Sequence, residues 1–80
     1  MTGRIVEIAE DGRHLSLSRG FLVVAERGRE LGRIPLDDIA VVVANAHGLT
    51  YSNNLLVTLA ERGVAVVLCG ANHVPAAFLW

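Results

Sequence analysis

The sequence predicts an α+β domain, a β-sandwich-like arrangement of antiparallel hairpins plus one β-α-β unit with a single helix. Two six-residue apolar runs, IAVVVA at 39–44 and VAVVLC at 64–69, are rich in β-branched residues and flank a segment of helical period. This alternation is typical of two buried parallel strands joined by a helix. Earlier segments alternate apolar and polar residues, which indicates strands that expose one face.

Length and composition limit the class of protein. The 80 residues make one small domain, and 52% of them are hydrophobic, so we expect part of the apolar surface to contact a partner. Seven arginines without any lysine stand against eight acids, giving a net charge of −1. That balance excludes coating of nucleic acid by bulk charge but allows a local arginine patch. The single cysteine, Cys69, excludes an internal disulfide and fits a reducing compartment, with burial in its strand preferred over a reactive thiol.

No apolar run approaches the roughly 18 to 20 residues that a membrane span requires. Charged residues interrupt the first residues of the chain, so no secretory signal is predicted. We therefore expect a cytoplasmic protein without membrane contact.

The N-terminal half predicts four strands, at 4–9, 14–18, 21–25 and 30–34, arranged as two successive hairpins. Asp11-Gly12 between the first two strands is a dipeptide typical of a tight turn with positive φ. Gly20 ends the second strand, and residues 27–29 form the next turn. Pro35 cannot donate a ladder hydrogen bond, so the fourth strand is placed at an edge or ends there.

The helix is predicted over residues 51–62, with Thr50 as its N-cap and Gly63 as the left-handed residue that ends it. Its apolar residues cover about 200° of the helical wheel, twice the width needed to cover one sheet. The second side is then expected to contact another sheet or another chain. The residues of this stripe are Leu55, Leu56, Val57, Leu59 and Ala60.

Polar side chains follow the two predicted parallel strands, where ligands gather in open α/β sheets. Such a set suggests a nucleophile with its base or a group of metal ligands, but ordinary loop polarity and capping are the preferred interpretation. No catalytic residue and no metal ligand is therefore assigned to this chain. The residues concerned are Asn45, His47, Cys69, Asn72 and His73.

Three other features are candidates for a metal site, a phosphate-binding loop and a DNA-backbone contact. Asp37 and Asp38 are interpreted as a turn and not as a metal site. Gly28 and Gly32 flank a hairpin, so they do not form a phosphate loop. Positive charge is concentrated at the predicted hairpin tips, where it either solubilises the surface or contacts DNA backbone phosphates without reading sequence. The candidates for that contact are Arg13, Arg27 and Arg29.

The order of these segments resembles the N-terminal β-rich domain of the CRISPR adaptation integrase, the endonuclease of spacer acquisition. The resemblance runs through HLSLSRGFLVVAER (14–27), GRIPLDDIAVVVAN (32–45), LLVTLAERG (55–63) and VAVVLCGANHVPAAFLW (64–80). Its most specific parts are IPLDDI at 34–39 leading into a valine run, and VLC at 67–69 followed by a segment with Pro75. The ending is similar to members from single-effector, DNA-targeting (type II) systems. The resemblance covers all 80 residues but only the first part of a full-length member.

The resemblance implies a metal-dependent enzyme that uses Mg²⁺ or Mn²⁺ and joins captured DNA to a CRISPR repeat by transesterification. It places the metal ligands in a helical C-terminal domain, so this chain alone is expected to be inactive and to bind no metal. It also implies that residues 1–80 form the homodimer interface and support duplex DNA, with a second small subunit of the adaptation complex as a partner. The alternative is a free-standing α+β interaction module with no nucleic-acid role.

Overall fold

The computed structural model describes residues 3–69 and 75–79, which form two four-stranded sheets and one α-helix. The mixed sheet has the order β1 (Arg4–Ile8), β5 (Ile39–Ala44), β7 (Ala65–Cys69) and β8 (Pro75–Leu79). The hairpin sheet has the order β4 (Arg29–Pro35), β3 (Phe21–Glu26), β2 (Arg13–Ser18) and β6 (Thr50–Tyr51). Helix α1 (Asn53–Glu61) connects β6 to β7. The predicted α+β class is confirmed.

The β-α-β unit lies where the apolar runs predict it. Strands β5 and β7 are parallel neighbours, with Val42 opposite Val66, and both of these side chains are buried. β8 adds to β7 in the antiparallel direction, with Val66 opposite Leu79. Crowded β-branched side chains favour extended backbone and pack well on a pleated surface, which explains why these runs become central strands.

The predicted hairpin between the first two strands is wrong. β1 pairs in parallel with β5, with Ile8 opposite Ala44, while β2 belongs to the other sheet. Gly12 does have the expected positive φ of 86°, but its N–H donates to the Gly48 carbonyl at 2.8 Å. Asp11-Gly12 is thus a crossing between two sheets. The alternation of apolar and polar residues in β1 specifies which face of the strand is buried. It does not indicate which strand pairs with β1.

The tight turns connect β2 to β3 and β3 to β4, and not β1 to β2 as predicted. Arg19-Gly20 joins β2 to β3, and Arg27-Gly28 joins β3 to β4, so these strands form a three-stranded meander. All four turn residues have positive φ, which matches the right-handed twist of the flanking strands. The turn predicted at 27–29 is confirmed. So is the edge position of the fourth strand, because β4 is the outermost strand of its sheet and ends at Pro35.

One core cluster joins both sheets and the helix. Leu15 and Leu22 come from the hairpin sheet, Val42 from the mixed sheet, and Leu55 and Leu59 from the helix. The helix packs against β2 of the hairpin sheet and β7 of the mixed sheet. Of the two predicted coverings for the second side of the helix, another sheet or another chain, the structure therefore shows the sheet. The buried stripe is nevertheless narrower than predicted. Val57 is 46% exposed and Ala60 is exposed as well.

The helix begins later than predicted. Ser52 is the N-cap, and its side chain accepts a hydrogen bond from the Leu55 N–H at 3.2 Å. Thr50 is drawn into β6 by its pairing with β2, where its Oγ1 shares a hydrogen bond of 2.6 Å with Nδ1 of His14. The predicted end is confirmed, because Gly63 has a φ of 74°.

Ser52→Ala is expected to lower the free energy of unfolding by about 1 kcal/mol, since one N–H of the first helical turn loses its partner. Urea denaturation followed by circular dichroism measures the loss. Thr50→Ala is the matched control, and we expect a smaller loss because its hydroxyl bonds an exposed imidazole. A larger loss for Thr50→Ala would mean that the N-cap is assigned to the wrong residue.

Candidate nucleic-acid interface

The structure brings the three predicted arginines to one end of the hairpin sheet. Arg13 opposite Glu26, and Glu26 opposite Arg29, put Arg13 and Arg29 on either side of the end of β3. Arg27 occupies the adjoining turn. Arg13 therefore begins a strand and does not lie at a hairpin tip, because the first predicted hairpin does not exist.

The three arginines differ in whether a carboxylate neutralises their charge. The Arg13 guanidinium donates to the carboxylates of Glu10 and Glu26, and its side chain is only 18% exposed. It thereby connects the crossing after β1 to the hairpin sheet. Arg27 and Arg29 are exposed and form no ion pair with the residues that the structure describes. Of the three candidates, these two offer an unneutralised charge at the surface.

The polar residues predicted after the parallel strands do not form a metal-binding group within the described residues. The Asn45 side-chain amide donates to a Glu7 carboxylate oxygen at 2.9 Å, and His47 is exposed. Cys69 is a free thiol that lies half-buried at the end of β7. Across residues 3–69 and 75–79, no three His, Cys, Asp or Glu side chains are grouped to hold a metal ion. Asn72 and His73 lie outside the described residues.

The predicted turn at Asp37 and Asp38 is confirmed as a single 3₁₀ turn, Leu36–Asp38. Asp37 accepts a hydrogen bond of 2.5 Å from the Arg62 guanidinium at the end of the helix. Its carboxylate therefore contacts the residue that closes the helix, which is a structural role for Asp37.

Asp11 fastens the loop after β5 to the crossing between the sheets. One of its carboxylate oxygens accepts the backbone N–H of His47 at 2.9 Å and that of Gly48 at 3.0 Å. The hydrogen bond from Gly48 lowers the pKa of Asp11, helped by the bond and the positive charge of His47 and opposed by desolvation. The ionised carboxylate is thus the form that holds the loop.

A pH dependence follows from this direction. Because the folded-state pKa of Asp11 is below its unfolded value of 3.8, its contribution to stability is present above that pH and is lost as the pH falls through the folded-state pKa. Asp11→Asn should lower stability at neutral pH and reduce the further loss in acid. Urea midpoints measured from about pH 7 to about pH 3 test this.

The control is Asp38→Asn, whose exposed side chain makes no hydrogen bond within the described part of the chain. We expect it to keep the wild-type pH profile. An Asp11→Asn protein with the full wild-type loss in acid would contradict the assignment of the loop contact to this carboxylate.

The outer face of the mixed sheet is a second surface, which was not predicted as a site from the sequence. Val42 and Val66 point into the core, so Ile5, Val41, Val43 and Val67, at alternate positions of three strands, lie on the opposite face. Ile5 is 70% exposed. Val41, Val43 and Val67 are half-buried. Parallel sheets are normally covered on both faces, so an apolar face that is only partly covered within the described residues is unusual. The unbroken apolar runs were the signal, because a strand with one wet face would alternate.

No helix within the described residues is long and apolar enough to cross a membrane. Two sheets around one helix, with a partly exposed apolar sheet face and an arginine-bearing tip, define a β-rich domain of the α+β class.

The chain belongs to the family of CRISPR associated protein Cas1, whose model matches residues 6–80. It is 35% identical over 75 residues to the CRISPR-associated endonuclease Cas1 of Neisseria meningitidis serogroup C (strain 8013), covering 94% of this chain. The chain spans 24% of that relative, about a quarter of its length. The resemblance predicted from the sequence is confirmed.

Solved structures show the same fold at low identity. A CAS1 protein from Thermotoga maritima matches with a TM-score of 0.81 and 9% identity, over 96% of this chain and 24% of its own. A partial Cas6-RT-Cas1–Cas2 complex matches with a TM-score of 0.84 and 17% identity, over 96% and 23%. A crystal structure of a TtCas1–DNA complex matches with a TM-score of 0.65 and 16% identity, over 80% and 24%.

Proposed function

We propose that this chain is the N-terminal domain of a metal-dependent DNA endonuclease and integrase that inserts captured DNA into a CRISPR array in the cytoplasm. Family membership is the observation that carries the proposal, since the model matches residues 6–80 and the relative from Neisseria is named an endonuclease. Catalysis with Mg²⁺ or Mn²⁺ is assigned to a helical domain outside these 80 residues. The described residues do not fit such an ion, because they hold no group of three suitable side chains, and no chemical step is assigned to them.

The first role of the domain in this proposal is homodimerisation through the outer face of the mixed sheet. Ile5, Val41, Val43 and Val67 make this face apolar, and Glu7 is its acidic member among the described residues. A second copy is the partner that such a face suits, because a two-fold axis places the same patch on itself. A nearly uncharged patch pairs with its own copy with little charge repulsion.

The second role is support of duplex DNA by the β3–β4 tip. Arg27 and Arg29 are exposed and unpaired within the described part of the chain, and backbone phosphates are suitable partners for such guanidinium groups. Relatives with this fold have been solved with DNA and with Cas2. Duplex DNA and a second small subunit are therefore the proposed partners.

Duplex binding by the purified chain tests the DNA role. We expect weak binding whose logarithmic salt slope corresponds to about two or three phosphates. Arg27→Glu and Arg29→Glu should each weaken binding several-fold at low salt and make the slope shallower by about 0.9 or more. Fluorescence anisotropy at several salt concentrations measures both quantities.

Arg4→Glu is the matched control, because Arg4 is an exposed arginine of the mixed sheet, outside the β3–β4 tip. If reversal at Arg4 weakens binding as much as reversal at Arg27, only net charge matters and the tip has no special role. If none of the three reversals changes duplex affinity, the DNA role of this surface is lost. The alternative of an interaction module without a nucleic-acid role would then be preferred.

A further inference from the structure

Both tight turns of the meander have an arginine where the backbone favours other residues. Arg19 and Arg27 have φ values of 49° and 53°, in the left-handed region, and each is followed by a glycine. Asn, Asp and Gly are the usual residues at the first position of such turns. Other residues are disfavoured there because, at positive φ, the β-carbon lies too close to the following carbonyl oxygen. The arginines at the two tips are therefore not explained by the turn geometry.

Arg19 is also free of local partners. It is exposed and forms no ion pair with the residues that the structure describes, as is the case for Arg27. Arg13, Arg33 and Arg62 all contact carboxylates. Arg19 was not among the DNA-backbone candidates predicted from the sequence, because Gly20 next to it was interpreted only as the end of a strand.

The sheet face between the two tips carries both hydroxyl and apolar side chains, and no unneutralised acid among its described residues. Leu15 and Leu17 of β2 pack on the core, so Ser16 and Ser18 lie on the outer face, opposite Val23 and Phe21 of β3. The outer positions of this stretch are thus hydroxyl, apolar or aromatic. Val23 is only 7% exposed, whereas Ser16, Ser18 and Phe21 are half-buried.

The acid on this face is held by a neighbouring cation. Arg33 donates two hydrogen bonds of 2.8 Å to the Glu30 carboxylate, which lowers the pKa of Glu30. The Arg33 guanidinium also lies over the Phe21 ring, 5.2 Å from its centroid. A polyanion on this face would therefore meet hydroxyl groups and a neutralised Arg33–Glu30 pair, with no free carboxylate of Glu30 to repel it.

We propose that Arg19 is a further phosphate-binding residue, and that the outer face of the hairpin sheet from Arg19 to Arg27 is a track for a nucleic-acid backbone. The proposal rests on the DNA role given above and specifies which surface performs it. Serine hydroxyls along the track would donate to phosphate oxygens between the two arginine contacts. Arg13 has no part in it, because its guanidinium is occupied by Glu10 and Glu26.

The separation of the tips sets a length for the ligand. From Arg19 to Arg27 the chain advances eight residues along β3 and its turns, which is at most about 26 Å at roughly 3.3 Å per residue, because the turn residues advance less. Duplex DNA rises about 3.4 Å per base pair, so both tips are engaged by about 8 base pairs. Shorter duplexes reach only one tip.

Anisotropy titrations with duplexes of about 4, 8, 12 and 16 base pairs test the track. We expect affinity to rise steeply up to about 8 base pairs and to change little beyond that, apart from the statistical gain of extra binding frames. Arg19→Asn should abolish the steep rise and reduce the salt slope by about 0.9. Arg19→Lys, which keeps the charge, should retain most of both.

Arg19→Asn also separates binding from folding. Asn followed by glycine is the favoured pair for this turn, so the melting temperature should stay the same or rise while DNA affinity falls. A lower melting temperature would show that Arg19 supports the fold and would overturn the phosphate role. Arg4→Asn removes the same charge from the mixed sheet and should leave the length dependence intact.

Two results separate the track from the broader function. If the wild-type chain binds duplex DNA but Arg19→Asn behaves as Arg4→Asn does, the track is wrong and the DNA role of the β3–β4 tip survives. If the wild-type chain binds no duplex of any length, the DNA role fails, and the track fails with it.

Discussion

Leu55→Ala is expected to lower the free energy of unfolding by about 2–5 kcal/mol, because it removes buried methyl groups and leaves a cavity. Leu55 is 0% exposed and belongs to the core cluster, on a helix that packs against strands of both sheets. A domain of this size has a total stability of roughly 4–12 kcal/mol at about 0.05–0.15 kcal/mol per residue. The variant should therefore lose a large fraction of the domain's stability, as a lower urea midpoint or melting temperature would show.

The matched control is Val57→Ala on the same helix. Val57 is 46% exposed, so its truncation leaves no enclosed cavity, and we expect a loss below about 1 kcal/mol. Equal losses at the two positions would contradict the observed orientation, in which Leu55 and Leu59 face the core. The comparison also tests whether the wide apolar stripe is covered in this chain alone.

Val41→Asp is expected to convert the proposed homodimer into a folded monomer. Val41 lies on the central strand of the mixed sheet, with Ile5 and Ala65 opposite it on the neighbouring strands. A carboxylate there would be buried without a partner in the dimer, a cost of about 3–5 kcal/mol, or roughly 100-fold or more in the dissociation constant. Sedimentation or light scattering over a concentration series measures the change, and circular dichroism shows whether the monomer remains folded.

Two further variants make this result decisive. Ile5→Asp places the same charge on a residue that is 70% exposed, at the border of the same face, and should weaken the dimer without affecting the core. Val57→Asp places it on the exposed side of the helix and should leave the dimer intact. If Val57→Asp dissociates the dimer and Val41→Asp does not, the helix is the interface. A wild-type chain that is monomeric at high concentration would remove the dimer from the proposal.

The features predicted correctly from the sequence depend on neighbouring residues. The apolar runs predict β5 and β7, Gly63 predicts the end of the helix, and Pro35 predicts the end of an edge strand. The Arg27-Gly28 turn is equally local. In each case the side chain or the backbone dihedral imposes its preference on its own segment, whatever the rest of the chain does.

The candidate interface could be predicted only in part. Arg27 and Arg29 are visible as a charged turn, and they remain the exposed candidates. Arg13 has the same chemistry in the sequence, but its two acidic partners come together only when the crossing after β1 meets the end of β3. Arg19 was missed although its signal was present, since Arg-Gly occurs at both tight turns of the meander.

The sequence alone determined the α+β class, the β-α-β unit, the turn at Arg27-Gly28 and the resemblance to the Cas1 family, because each depends on local patterns or their order along the chain. Only the tertiary structure decided that β1 pairs with β5, that Ser52 caps the helix in place of Thr50, and which apolar residues stay open to a partner. These outcomes depend on contacts between distant segments, such as that of Asp11 with His47 and Gly48. A hydrophobic pattern indicates that one face of a strand or helix is buried, and the packing of the whole domain determines which segment covers that face.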